Sequence, residues 1–97
     1  MPTYLMFSTL SPQGLQTLRV TPERLLEVNR ELETNGVRVL SQWALLGPYD
    51  MLSVVDAPDQ AAVLRVSADM AARGSAQVET LAAVPVDEFI ELLEQRS

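Results

Sequence analysis

A chain of 97 residues, 47% of them hydrophobic and none cysteine or histidine, can bury one core without disulfide or metal and offers neither thiolate nor imidazole for catalysis or ligation. Its basic residues are arginines alone, seven against thirteen acids for a net charge of −6, so lysine Schiff-base chemistry is excluded and polyanionic nucleic acid is repelled. The opening Met1-Pro2-Thr3-Tyr4 has neither the basic region nor the apolar core of a signal peptide, and no apolar run approaches the ~20 residues of a membrane span, so the expectation is a cytoplasmic single domain over residues 1–97 with no membrane partner.

Residues 3–10 (TYLMFSTL) are β-branched and aromatic enough for a first strand of ordinary length. Ser11-Pro12-Gln13-Gly14 reads as the turn that ends it, with one loose helical turn suggested by Leu15 and Leu18. Thr21-Pro22-Glu23 then marks a helix start: a hydroxyl N-cap, proline at the first helical position and an acid at the positive end. This helix is predicted to reach about Asn35, with Gly36 as its left-handed stop and Leu25, Val28 and Leu32 as its apolar stripe.

Residues 37–55 (VRVLSQWALLGPYDMLSVV) organise the rest of the chain: two apolar strands joined at Gly47-Pro48-Tyr49-Asp50. The proline ring holds φ of Pro48 near about −65°, which rules out a type I′ turn. Two solutions stay open, a II′ turn led by Gly47 or a slightly longer loop with Pro48 in a type I turn. Asp50 is placed to accept from neighbouring backbone N–H groups, and Tyr49 leaves the turn with an apolar ring and a polar tip.

Ala57-Pro58-Asp59-Gln60 opens a second helix ending near Arg73-Gly74, with Asp56 and Asp59 as candidate caps. Ala61, Leu64, Ala68 and Ala71 are read as the small-residue stripe that lets it sit low on a sheet. Residues 77–84 form a fourth strand, and Pro85 opens a last helix over residues 86–95 with Phe89, Leu92 and Leu93 on one face.

The order β-α-β-β-α-β plus a terminal helix predicts an α+β, ferredoxin-like fold, with a four-stranded antiparallel sheet and both crossover helices on one face. A sheet covered on one side only alternates apolar with polar residues, and these strands do not. Leu5 and Phe7 oppose Tyr4 and Met6; Val39, Trp43 and Leu45 oppose Leu40, Ala44 and Leu46. Leu52 and Val54 oppose Met51 and Val55, and Leu81 and Ala83 oppose Val78, Ala82 and Val84. A lone subunit would expose more apolar surface than soluble monomers usually show, so sheet-to-sheet pairing into a homodimer, or a higher even-numbered oligomer, is expected.

Several stretches resemble the GYD domain family along the whole chain: residues 1–10, Pro22-Glu23-Arg24-Leu25, Leu45-Leu46-Gly47-Pro48-Tyr49-Asp50, Asp56-Ala57-Pro58-Asp59 and Glu79-Thr80-Leu81-Ala82-Ala83. The family is named for a Gly-x-Tyr-Asp turn, matched by Gly47, Tyr49 and Asp50, while Pro48 fills a position usually polar. The pattern is also similar to the ligand-sensing domain of leucine-responsive regulators. This resemblance implies the dimeric α/β-barrel class, in which two ferredoxin-like sheets face each other, and no established activity. Ala82 stands where the family leads one to expect arginine, and Val78 where threonine is common, so a ligand held by those polar groups would be lost or altered here.

No catalytic set and no metal site emerges. Asp87, Glu88, Glu91 and Glu94 follow helical spacing on a solvated face. Tyr49 and Asp50 form either a rim against a partner or ligand, or a turn that serves the backbone alone. Trp43, beside Ser41 and Gln42, either lines a pocket between sheets or is an ordinary core or interface tryptophan. Glu79 either points between sheets, where it needs a partner, or is solvated at a strand edge.

The preferred reading is a non-catalytic, homo-oligomeric small-molecule-binding or association module with a ligand cleft between paired sheets and no cofactor. Its expected partners are a second copy of the chain and a small apolar or amino-acid-like metabolite. One alternative is a small cofactor-free oxygenase or isomerase, for which only Tyr4, Tyr49, Trp43 and carboxylates such as Glu79 offer a proton relay. Another is a stand-alone regulatory ligand-sensing domain acting through a partner chain, which would have to supply every basic contact.

Overall fold

The computed structural model describes residues 1–95. The elements run β1 (Thr3–Leu10), α1 (Pro12–Val20), α2 (Arg24–Thr34), β2 (Arg38–Ala44), β3 (Met51–Asp56), α3 (Gln60–Ala72), β4 (Ala76–Ala83) and α4 (Val86–Glu94). The four strands form one antiparallel sheet in the order β2-β3-β1-β4, the ferredoxin-like arrangement that the element order predicts.

Alternation along β1 divides the sheet. Tyr4 and Met6 face the helices and, with Val55, Val37, Leu32 of α2 and Ala62, Val63 and Val66 of α3, make the buried core. Their neighbours Leu5 and Phe7 face the other way and stay only half-buried, the core that packs on the helices lying on the opposite side among the described residues. Removing so many branched apolar groups from water, at about 25 cal/mol per Å², is the main force holding α2 and α3 to the sheet.

A bulge in β2 decides which residues share a face. The pairing with β3 shifts between Val39 and Ser41, leaving Leu40 as the extra residue. Val39 therefore packs against the helix-side core while Ser41 and Trp43 point to the helix-free side, whereas strict alternation put Val39 and Trp43 together. Gln42 turns inward with Ser53, and its Nε2 donates to Ser53 Oγ at 3.0 Å and to Asn29 Oδ1 at 3.1 Å. Asn29 Nδ2 returns a bond to Gln42 Oε1 at 2.7 Å, so an amide pair ties α2 to β2.

Three helices differ from the sequence reading. Ser11-Pro12 starts a full helix, α1, in place of a loose turn: Ser11 Oγ accepts from Gly14 N at 3.0 Å and proline occupies the first turn. A glycine stands at position 14 of this helix because a Cβ there would overlap the Ser75 carbonyl oxygen. Thr21 N–H is used to close α1 on Thr17 O, so α2 begins at Arg24 after a tight turn through Pro22 and Glu23. In α3 the sheet takes Ala62, Val63 and Val66, and the Ala61, Leu64, Ala68 and Ala71 stripe faces out, with Leu64 68% exposed. That helix is apolar nearly all round, and the branched valines fill the space above the sheet better than alanine does.

Other local expectations hold. Asp59 Oδ1 caps α3 by accepting from Ala62 N at 3.0 Å, and Gly36 ends α2 with φ of +85°. Asp56 instead accepts from Thr3 Oγ1 at 3.3 Å. The terminal helix α4 buries none of its residues, although Val86, Phe89, Ile90 and Leu93 recur at helical spacing. Its separation from the body helps explain a radius of gyration of 14.9 Å, above the ~13 Å of a compact domain of this size.

Candidate functional site

The helix-free face is built from two rows set by strand register. Trp43 pairs with Leu52, Leu52 with Phe7, and Phe7 with Glu79, so these four run across all four strands. The next row is Ser41, Val54, Leu5 and Leu81. Trp43 is 60% exposed and Leu81 49% exposed, a large apolar area for one chain to present.

The rim comes from residues 45–50, a longer link than the two-residue II′ turn and so nearer the longer loop of the two expected from the sequence. It is closed by Leu45 N donating to Asp50 O at 2.9 Å. Gly47 takes φ of +127°, a left-handed value that suits glycine, and Pro48 beside it is exposed. Asp50 holds the link to the end of β1: its N–H donates to Ser8 O at 2.8 Å, and its Oδ2 accepts from Leu10 N at 2.8 Å. The carboxylate thus serves the backbone, as one of the two sequence readings has it.

Anchored in this way, Tyr49 lies over Phe7, with ring centroids 4.9 Å apart and planes tilted by 43°. Its hydroxyl donates to Glu79 Oε2 at 2.6 Å. That hydrogen bond, followed by the carboxylate's negative charge, raises the Tyr49 pKa above its ordinary value. In this arrangement the phenol acts as a donor. Glu79 lies exposed on the helix-free face and is the acceptor for the Tyr49 hydroxyl.

The structure thus brings Trp43, Ser41, Tyr49 and Glu79 to one face, with Asp50, Gly47 and Pro48 in the link at its edge. Tyr4 lies apart: it is buried among the core residues under the helices, on the opposite side of the sheet. Phe7, the platform under Tyr49, was not singled out from the sequence, because only the β1–β3 register puts it beside the link. Among the described residues no three acids or other ligating groups gather into a metal site. An apolar centre with a polar rim is the anatomy of a protein interface.

Fold and face together define a class: a ferredoxin-like α+β domain whose sheet is helix-covered on one side and apolar on the other. The crystal structure of FFRP-DM1 has this fold, superposing on 87% of the chain and 100% of that structure with a TM-score of 0.59; at 16% identity the likeness is one of fold alone. The GYD domain family matches residues 4–93, and the chain belongs to it. A relative from Thermus thermophilus, "Glutamine synthetase and cystathionine beta-lyase binding protein", is 50% identical over 91 residues, covering 93% of this chain and 96% of the relative. No helix among the described residues is long and apolar enough to cross a membrane.

Proposed function

We propose that this GYD domain is a non-catalytic association module that pairs with a second copy of itself through the helix-free sheet face and, so paired, docks on metabolic enzymes. The observation that carries the reading is the helix-free row of Trp43, Leu52 and Phe7, with Trp43 60% exposed and Phe7 capped by Tyr49 at the edge framed by the Tyr49–Glu79 hydrogen bond. Two-fold pairing of such a face buries the same patch twice and is the simplest way to cover it. The unpartnered apolar stripe of α4 adds a second surface for the same purpose. Space left between two sheets beside Ser41 and Trp43 would suit a small apolar or amino-acid-like metabolite.

Docking on enzymes is supported by the Thermus relative, whose name states that it binds glutamine synthetase and cystathionine beta-lyase. At 50% identity over nearly the whole length the same kind of partner is the economical reading. Sedimentation velocity and light scattering test the pairing: an even-numbered oligomer is expected at micromolar concentration, and Trp43→Asp should give a monomer. A monomeric wild-type chain would overturn the pairing. Co-elution with the glutamine synthetase of the same cell tests the docking, and separate elution from both enzymes would overturn that part.

A further inference from the structure

On the other side of the sheet, α1, α2 and the end of α3 stand off from the strands and enclose a cavity of about 270 Å³. The association reading makes no use of it. Its wall is apolar, with Leu18, Leu25, Val28, Met51 and Met70 among its residues. Its floor is not, for Ser8, Gln42 and Ser53 occupy core-facing positions where a closed interior would take apolar side chains.

The floor groups are fixed. The Gln42 amide is held by Asn29 and Ser53, and Ser53 is 7% exposed. Because Ser53 Oγ accepts from Gln42, its own proton is left to donate. A donor on a rigid floor suits an oxygen acceptor on a ligand.

The charge of the lining is more selective still. In a chain of net charge −6, the only charged groups lining the cavity among the described residues are two arginines, Arg24 and Arg73. Acids outside the lining hold each by a single nitrogen: Arg24 Nη1 lies 2.8 Å from Glu27 Oε2 and 3.7 Å from Glu31 Oε1, and Arg73 Nη1 lies 2.6 Å from Glu31 Oε2. A guanidinium carries five N–H donors in a planar fork, so both retain donors for an anion. The volume of about 270 Å³ lies near the ~300 Å³ lower end of small-molecule pockets, a size suited to a small ligand.

We infer that this cavity is a binding site for a small organic carboxylate with an apolar body, its carboxylate met by Arg24 and Arg73 and its body held among Val28, Met51 and Met70. The site is separate from any space between paired sheets.

The test uses the full chain carrying ¹³C-methyl methionine, with octanoate as the probe and octan-1-ol as its uncharged counterpart. Four methionines are present, and of these Met51 and Met70 line the cavity. Octanoate should move the Met51 and Met70 methyl signals saturably and leave Met1 in place. It should bind about tenfold tighter than the alcohol, the worth of one good charge-assisted contact. Arg24→Gln with Arg73→Gln should close that gap. Val28→Phe, which fills the cavity, should abolish both responses while light scattering shows self-association unchanged. Should Val28→Phe fail to fold, the arginine pair alone decides. Three results would overturn the inference: unmoved Met51 and Met70 signals in the folded wild-type chain, equal binding of acid and alcohol, or a response confined to Trp43 fluorescence on the opposite face.

Discussion

Tyr49 reaches over β1 to Glu79 on β4, its hydroxyl donating to Oε2 at 2.6 Å while its ring rests on Phe7. One side chain from the β2–β3 link therefore spans three strands and defines the edge of the helix-free face. The hydrogen bond needs the phenol proton, and the carboxylate's charge opposes its loss, so Tyr49 should titrate above the ordinary tyrosine range of about 10. Because the folded-state value is raised, the associated stability is complete below the ordinary tyrosine pKa and is lost as pH rises through the raised one. Absorbance titration of tyrosinate should show this late step, and Glu79→Gln should bring it down. A Tyr49 step unchanged by Glu79→Gln would show that the bond does not persist in solution.

The sequence made the sheet legible because strand order and two-sided apolarity are written in periodicity. It could not place Val39 and Trp43 on opposite faces, since a bulge inserts one residue without changing composition. Nor did it reveal α1, although Ser11-Pro12 has the chemistry of a helix start: Gly14 reads as a breaker until the Ser75 carbonyl is seen lying against it. The α3 stripe went to the wrong side because alanine and leucine recur on its outer face as regularly as valine does on the inner one. The Tyr49–Glu79 pair joins residues thirty positions apart, a distance that only strand register can span.

Glu31 shows the opposite pH behaviour to Tyr49. The hydrogen bond from Arg73, helped by the charges of Arg73 and Arg24, lowers its pKa below the usual glutamate value. A lowered carboxylate contributes stability above its unfolded pKa and loses it as pH falls through the folded one. The pair is exposed, so the effect is small and salt-sensitive. Arg73→Gln should lower the unfolding temperature slightly at pH 7 in low salt, and the difference should shrink as pH falls through the lowered Glu31 value and, separately, in molar salt. A difference that survives at both would mean Arg73 acts by packing.

Gly14 is the tightest point between α1 and the start of β4. Ser11 N donates to the Ser75 carbonyl at 3.0 Å, and a side chain on Gly14 would collide with that same oxygen. Backbone cannot yield as a flexible side chain does, so Gly14→Ala should cost about 1–3 kcal/mol in chemical unfolding despite alanine's better helix propensity. Gly47→Ala tests a different property, since nothing lies within 4 Å but φ is +127°; it should cost about 1 kcal/mol or more through strain alone. If Gly14→Ala proved stabilising, α1 would have to sit farther from Ser75 than the structure places it.

Asp50 fastens the link that carries Tyr49. Its N–H and carboxylate bind Ser8 O and Leu10 N on β1, so the link is fastened to the central strand one residue after the tyrosine. Asp50→Ala removes the acceptor for Leu10 N, at a cost of about 1 kcal/mol for a partly exposed bond. Asp50→Asn keeps an acceptor oxygen and should lose less. The decisive readout is indirect. With the link unfastened, Tyr49 should spend less time against Glu79, so its alkaline titration should move toward the ordinary value in Asp50→Ala and stay high in Asp50→Asn. Faster exchange of the Leu10 amide should accompany the first variant alone. Should both variants keep the late tyrosine step, stacking on Phe7 would be enough to hold the ring, and Asp50 would serve stability without shaping the face.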